Sequence, residues 1–161
     1  MPPLPAVRVW LRLLSCANLV ETRVRGGLRR RFATTLPRFD VLAQLDHAHR
    51  EGADGLTMSE LSRRLMVSNG NLTGLTERLR REGLVSRAPA RDDRRAQVVR
   101  LTPAGRRALA AMAPEHHAWI EAMFEGLDER DREMLYRLLG KLKTSVEGLP
   151  VNDRPVESAS A

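Results

Sequence analysis

Apolar residues recur along this chain at helical spacing, interrupted once by a short alternating stretch. Leu13, Val20, Val24 and Leu28 follow one another at seven, four and four, with Leu14, Cys16 and Ala17 widening the stripe. This predicts a helix from Ala6 to about Arg31, ending in "GGLRRRF". In "TTLPRFDVLAQLDHA" a shorter helix is expected, with Pro37 in its first turn and Val41, Leu42 and Leu45 inward. "HREGADG" reads as a loop. "LTMSELSRRL" carries a capping box, Thr57 with Glu60 three residues on, and a staple of Leu56 with Leu61. After the turn "MVS", Ser68 is placed to cap a helix whose buried stripe is Leu72, Leu75 and Leu79 and whose stop is Gly83.

Two short helices across so tight a turn are a helix-turn-helix pattern. The period then shortens: "LVSR" and "AQVVRL" read as strands of a hairpin, joined by a polar loop with Arg91, Arg94 and Arg95. Thr102 and Pro103 start a further helix to about Phe124, with a bend expected near Pro114. Asp128 starts the last helix, lined by Met134, Leu135, Leu138, Leu139, Leu142 and Val146. The expected fold is mainly α with a small β-hairpin wing: a winged helix-turn-helix between N- and C-terminal dimerisation helices. Residues 1–36 form the first of these helices and 37–107 the winged domain. Residues 108–148 form the C-terminal helices, and 149–161 a disordered tail. The terminal helices are too apolar to stand alone in water. Packing against each other and against a second copy would cover them.

Charge sharpens this picture. Leu56 to Arg107 holds 12 arginines against 5 acids, a net +7; the preceding segment is +4 and the following one −4. A basic middle is the footprint of a polyanion partner, although a solvated Arg-rich surface would look the same. The single Cys16 excludes an internal disulfide and fits a reducing cytoplasm. Arg8 and Arg12 interrupt the first apolar segment, which therefore reads as an amphipathic helix rather than a signal peptide, and no run approaches a membrane span. No catalytic constellation, cofactor motif or metal-ligand spacing is recognisable; His47, His49, His116 and His117 read as surface histidines.

"DRRAQVVRLTPAG", Asp93 to Gly105, resembles the wing signature of the MarR family of bacterial regulators, and "LTMSELSRRLMVSNGNLTGLTERLRREGLVSR" resembles its helix-turn-helix. The resemblance covers about Leu13 to Val146. It implies a dimer that binds a pseudo-palindromic operator on double-stranded DNA and is released by a small anionic or phenolic effector, most simply as a repressor.

The recognition helix would then begin at Ser68. Its Asn69, Asn71, Thr73 and Thr76 can hydrogen-bond base edges or phosphates, and Gly70 lets backbone approach the groove, as does Gly74. Capping and turning the chain is the plainer role for Asn69 and Gly70. Arg78 is a phosphate candidate, with Arg80, Arg81 and Arg87; Ser62, Arg63 and Arg64 are weaker ones. At the wing tip the resemblance implies that Asp93 braces the loop and Arg95 reaches the minor groove, with Arg94 as the competing finger. Arg29, Arg30 and Arg31 lie where family effectors bind. They suit the carboxylate of an aromatic acid or the phosphates of its CoA thioester, but a solvated helix end or an extra DNA-backbone contact is the plainer reading. Two alternatives remain: redox sensing through Cys16, against its reading as a small core residue, and a winged-helix module that binds protein.

Overall fold

The computed structural model describes residues 5–91 and 95–149. Six helices and one hairpin follow in the expected order: α1 Ala6–Phe32, α2 Leu36–Arg50, α3 Met58–Leu65, α4 Asn69–Arg81, β1 Val85–Pro89, β2 Gln97–Leu101, α5 Pro103–Phe124 and α6 Glu129–Glu147. The chain divides into two compact units, Met1–Ala122 and Met123–Ala161. The expected disorder of the tail concerns residues that, from 150 on, lie outside the described ones. No helix among the described residues is long and apolar enough to cross a membrane.

In the first unit α2 is the central element. Its Phe39, Val41, Leu42, Leu45 and Ala48 are buried, together with Leu61 of α3, Leu72 and Leu79 of α4, and Val85, Val98, Val99 and Leu101 of the hairpin. Only the C-terminal half of α1 joins this core, through Val24, Gly27 and Leu28. Gly27 is a crossing point: a Cβ there would stand 2.6 Å from the Trp119 ring of α5. The N-terminal half of α1 leaves Trp10, Leu11, Leu14 and Leu19 exposed. Cys16 is exposed as well, so the expectation of a core cysteine is corrected: the apolar stripe continues past the point where the unit supplies anything to pack on it. In the second unit, α6 starts at Asp128, whose carboxylate accepts the Asp131 N–H at 2.8 Å. This helix buries no side chain.

The capping box forms as the local sequence dictates. Thr57 N–H donates to Glu60 Oε2 at 2.8 Å and Glu60 N–H donates to Thr57 Oγ1 at 3.2 Å. Leu56 does more than staple this helix. Its N–H donates to the Val99 carbonyl at 3.1 Å and its carbonyl accepts the Val99 N–H at 2.8 Å, adding a one-residue bridge to the hairpin. The hairpin pairs Val85 with Leu101 through Pro89 with Gln97.

One junction joins the end of α4, the hairpin and α5. Thr102 Oγ1 donates to the Gly83 carbonyl at 2.6 Å and accepts the Gly105 N–H at 3.0 Å. Thr102 N–H donates to the Leu84 carbonyl at 3.1 Å. That same carbonyl oxygen lies 2.0 Å from where a Cβ on residue 105 would stand, so only glycine fits.

Gly105→Ala should therefore destabilise the fold by about 1–3 kcal/mol or more, because the clash is with backbone that cannot rotate away. A thermal melt equal to wild type would refute the close approach. A second expectation concerns Asp40 of α2. Burial, then repulsion from Glu21, raises its carboxyl from 3.8 to about 6, with Arg25 opposing. The folded state therefore binds this proton more tightly than the unfolded chain, and stability from this group falls as pH rises from about 4 to about 6. Asp40→Asn should raise Tm at pH 7 and leave it unchanged near pH 4. Melts across that range check both the sign and the window.

Candidate nucleic-acid interface

Leu72, Thr76 and Leu79 form the inner face of α4. The alternative stripe, with Leu75 in place of Thr76, has equally good helical spacing, yet Leu75 is only half-buried. Thr76 is 2% exposed, and its hydroxyl donates to the Leu72 carbonyl at 2.8 Å, which satisfies the polar group inside the core. The expected DNA contact by Thr76 is therefore corrected: it is a core residue that holds α4 in place.

The opposite face is open. Ser68, Asn69, Gly70, Asn71, Thr73, Gly74 and Arg78 are all exposed. A Cβ added at Gly70 or Gly74 would meet nothing within 4 Å, so neither glycine is demanded by packing. Thr73 Oγ1 donates to the Asn69 carbonyl at 2.8 Å, which leaves its oxygen lone pairs available as acceptors. Ser68 occupies the N-cap position in extended conformation, but its side chain makes no capping hydrogen bond, contrary to expectation. With no acid in the first turn either, the positive end of α4 faces outward unneutralised. The turn before it is held by Ser62, whose hydroxyl donates to the Val67 carbonyl at 2.6 Å. Met66, at its apex, takes left-handed φ of 54°.

The arginines separate into two groups. Glu77 accepts from Arg80 at 2.8 and 2.9 Å and from Arg81 at 3.3 Å. The Arg80 hydrogen bonds lead in holding its carboxyl down at about 2. Arg38 of α2 grips both oxygens of Glu82 and so fixes the far end of α4. Arg64 pairs with Glu51 at 3.4 Å. Arg78 is different: it is exposed, and it reaches Glu82 only through its field.

At the wing, Arg95 is exposed on the tip. Asp93 and Arg94 lie outside the described residues, so the brace and the competing finger expected there have no structural description. A brace that sequence reading missed sits at the root of the wing. Asp54, from the loop before α3, accepts the Arg91 N–H at 3.1 Å, pairs with Arg91 Nε at 2.9 Å and takes a hydrogen bond from Arg100. The Arg100 bond leads in holding the Asp54 carboxyl below the ordinary carboxylate range. Arg91, expected as part of a free basic loop, is thus committed to the body of the domain.

The arginines at the end of α1 are exposed, but Arg31 donates to Glu115 of α5 at 3.0 Å. Beside them Phe32 and Trp119 pack with ring centroids 6.5 Å apart. Among the described residues no group of His, Cys, Asp or Glu is placed to hold a metal ion.

An outward, uncapped helix start and a braced basic hairpin are both solvent-facing in this unit. The MarR family model matches residues 34–96. An uncharacterised HTH-type transcriptional regulator of Bacillus cereus is 30% identical over 135 residues, covering 83% of this chain and 86% of that protein. The transcriptional activatory protein BadR of Rhodopseudomonas palustris is 35% identical over 108 residues, 67% of this chain and 60% of its own. Among solved structures, Sco3205, a MarR family transcriptional regulator from Streptomyces coelicolor in complex with DNA, shares the fold with TM-score 0.76 at 24% identity over 95% of this chain and 98% of its own. The chain belongs to the MarR family and is a DNA-binding transcriptional regulator built on a winged helix-turn-helix.

Proposed function

We propose that the protein works as a homodimer on a pseudo-palindromic operator, with α4 of each copy in a major groove and the wing over the adjacent minor groove. The observation that carries this reading is the open N-terminal face of α4, where two glycines are retained although packing requires neither. Asn69, Asn71 and Thr73 are the base-reading candidates there, Ser68 and Arg78 the phosphate contacts, and Arg95 with Arg94 the minor-groove contact beside Asp93. Two recognition helices must lie about 34 Å apart to meet successive major grooves. The exposed apolar faces of α1 and of α6 are the surfaces a second copy would cover, as dimerisation helices at 1–36 and 108–148 flanking the winged domain at 37–107.

In this reading the protein binds rather than catalyses and acts in the cytoplasm, where its DNA is. Repression needs only that the occupied operator overlap a promoter, so it is the simpler sign; BadR is named an activator. Release follows when a small anionic or aromatic effector, an aromatic acid or its CoA thioester, favours a dimer of different helix spacing. Arg29, Arg30 and Arg31 are its proposed contacts at the end of α1. Cys16 is exposed in the single chain but lies on the apolar stripe that a second copy would cover, and exposure alone does not activate a thiol.

The first test is fluorescence anisotropy on DNA upstream of the gene itself and of its neighbours, against an unrelated duplex. Arg95→Ala should weaken operator binding about tenfold and lower the salt slope by about one; unchanged affinity would remove Arg95 from the interface. Gly74→Ala separates function from stability. It should stabilise the fold by up to about 1 kcal/mol, since alanine is the better helix former, while weakening operator binding. If the variant is more stable and binds as well as wild type, the glycine does not serve close approach. Light scattering at micromolar concentration should give twice the 18.1 kDa chain mass, and a monomeric mass would overturn the dimer.

A further inference from the structure

Among the described residues, positive φ falls on Gly52, Gly83, Ala33 and Met66. Two are glycines, which bear that conformation without strain, and Ala33 carries only a methyl group. Met66 alone holds a long side chain there, at φ 54° and ψ 39°. Residues with a Cβ disfavour this region, and glycine is the usual solution where a helix stops. Met66 is also 86% exposed, more than any other large apolar residue described. Packing therefore does not account for the side chain, and the backbone would be better served without it.

Its place is fixed. The Met66 N–H donates to the Ser62 carbonyl, as does the Val67 N–H at 3.2 Å, and the Ser62 hydroxyl holds the Val67 carbonyl at 2.6 Å. Two residues on, Ser68 takes the N-cap position of α4. Consecutive Cα atoms are 3.8 Å apart, so the Met66 Cα lies within about 8 Å of that of Ser68 and about 11 Å of that of Asn69. The start of α4 offers hydrogen bonds; Met66, with Val67 at 40% exposure beside it, sets an apolar surface against that polar one. Base edges in a major groove show one apolar group, the thymine C5-methyl. A flexible, polarizable thioether chain fits such a group closely.

We infer that Met66 is a specificity residue of the operator complex, whose side chain packs on the C5-methyl of a thymine beside the bases met by the start of α4. It thereby selects thymine over cytosine at that position. The contact neutralises no phosphate, so it adds selectivity without adding salt dependence. The inference rests on the regulator reading above for the duplex, and adds to it a base contact made from the turn rather than from the helix.

The probe is the selected operator duplex, with each thymine of one half-site replaced in turn by deoxyuridine, which pairs alike and lacks only the methyl. At one of these positions the replacement should weaken wild type about fourfold, the worth of one buried methyl group. Met66→Gly should weaken binding to the thymine operator by about fourfold or more. It should keep the wild-type salt slope and no longer distinguish thymine from deoxyuridine at that position. Its Tm should equal or exceed that of wild type, because the strain at 66 is relieved. Met66→Gln, of similar length but polar, should lose the methyl preference too, whereas Met66→Leu should keep it. An operator with no thymine whose methyl counts overturns the contact, and so does a methyl preference that survives in Met66→Gly and Met66→Gln. A lower Tm in Met66→Gly overturns it as well, since the side chain then serves the fold. Equal binding of wild type to the operator and to an unrelated duplex would instead strike the regulator reading on which the contact rests.

Discussion

The geometry of the whole DNA-facing surface depends on the contact between Gly105 and the Leu84 carbonyl. Leu84 follows the recognition helix and precedes β1; Gly105 lies in the first turn of α5. With no Cβ at 105, α5 can close onto the chain just past α4, and Thr102 ties the two with hydrogen bonds in both directions. The two elements proposed to touch DNA thereby share one rigid base. Were this junction loose, the recognition helix and the wing would move independently, and two grooves could not be matched at once. The glycine and threonine of the wing signature are thus explained by packing rather than by DNA contact.

Counting charge along the sequence overstates the interface. The basic middle segment is real, yet much of it is paired within the fold: Arg80 and Arg81 with Glu77, Arg64 with Glu51, Arg91 and Arg100 with Asp54, while Arg38 of α2 takes up one of its acids, Glu82. Most of these pairs are exposed and contribute little stability individually. Their effect is directional. They hold the C-terminal end of α4 and the root of the wing, and they set several arginines that the sequence offered apart from Arg78.

What was legible in the sequence was local. The capping box at Thr57 and Glu60, the helix order, the hairpin and the stop at Gly83 all follow from residues within a few positions of one another. The choice between Leu75 and Thr76 for the inner face of α4 was not legible, because both fit a period of 3.6; it is settled by a tertiary fit in which a threonine can satisfy its own hydroxyl on the preceding turn. Neither the Leu56–Val99 bridge nor the Asp54–Arg100 brace could be read, since each joins residues more than forty positions apart with no periodic signature. The burial of α1 stops midway for a related reason. Periodicity reports that a face is apolar, but not what covers it.

The start of α4 now has a physical account. An uncapped Ser68, two asparagines and Gly70 make a first turn that is weak by every local criterion, with Gly74 in the turn after it: side-chain capping is absent and helix propensity is low. Leu72 and Thr76 hold the helix from its second turn onward, so the weak turn is attached to a firm body. Its unpaired N–H groups point outward, where a phosphate would supply the missing acceptors. In the proposed complex a phosphate on those N–H groups would stabilise the turn, so any fraying of it in the free protein would be a cost of binding. A duplex that places phosphates and acceptor-rich base edges correctly recovers this cost through several contacts at once, whereas a misaligned one bears the cost without them. Weak local structure at the proposed reading end of a firmly held helix would thus favour discrimination over sheer affinity.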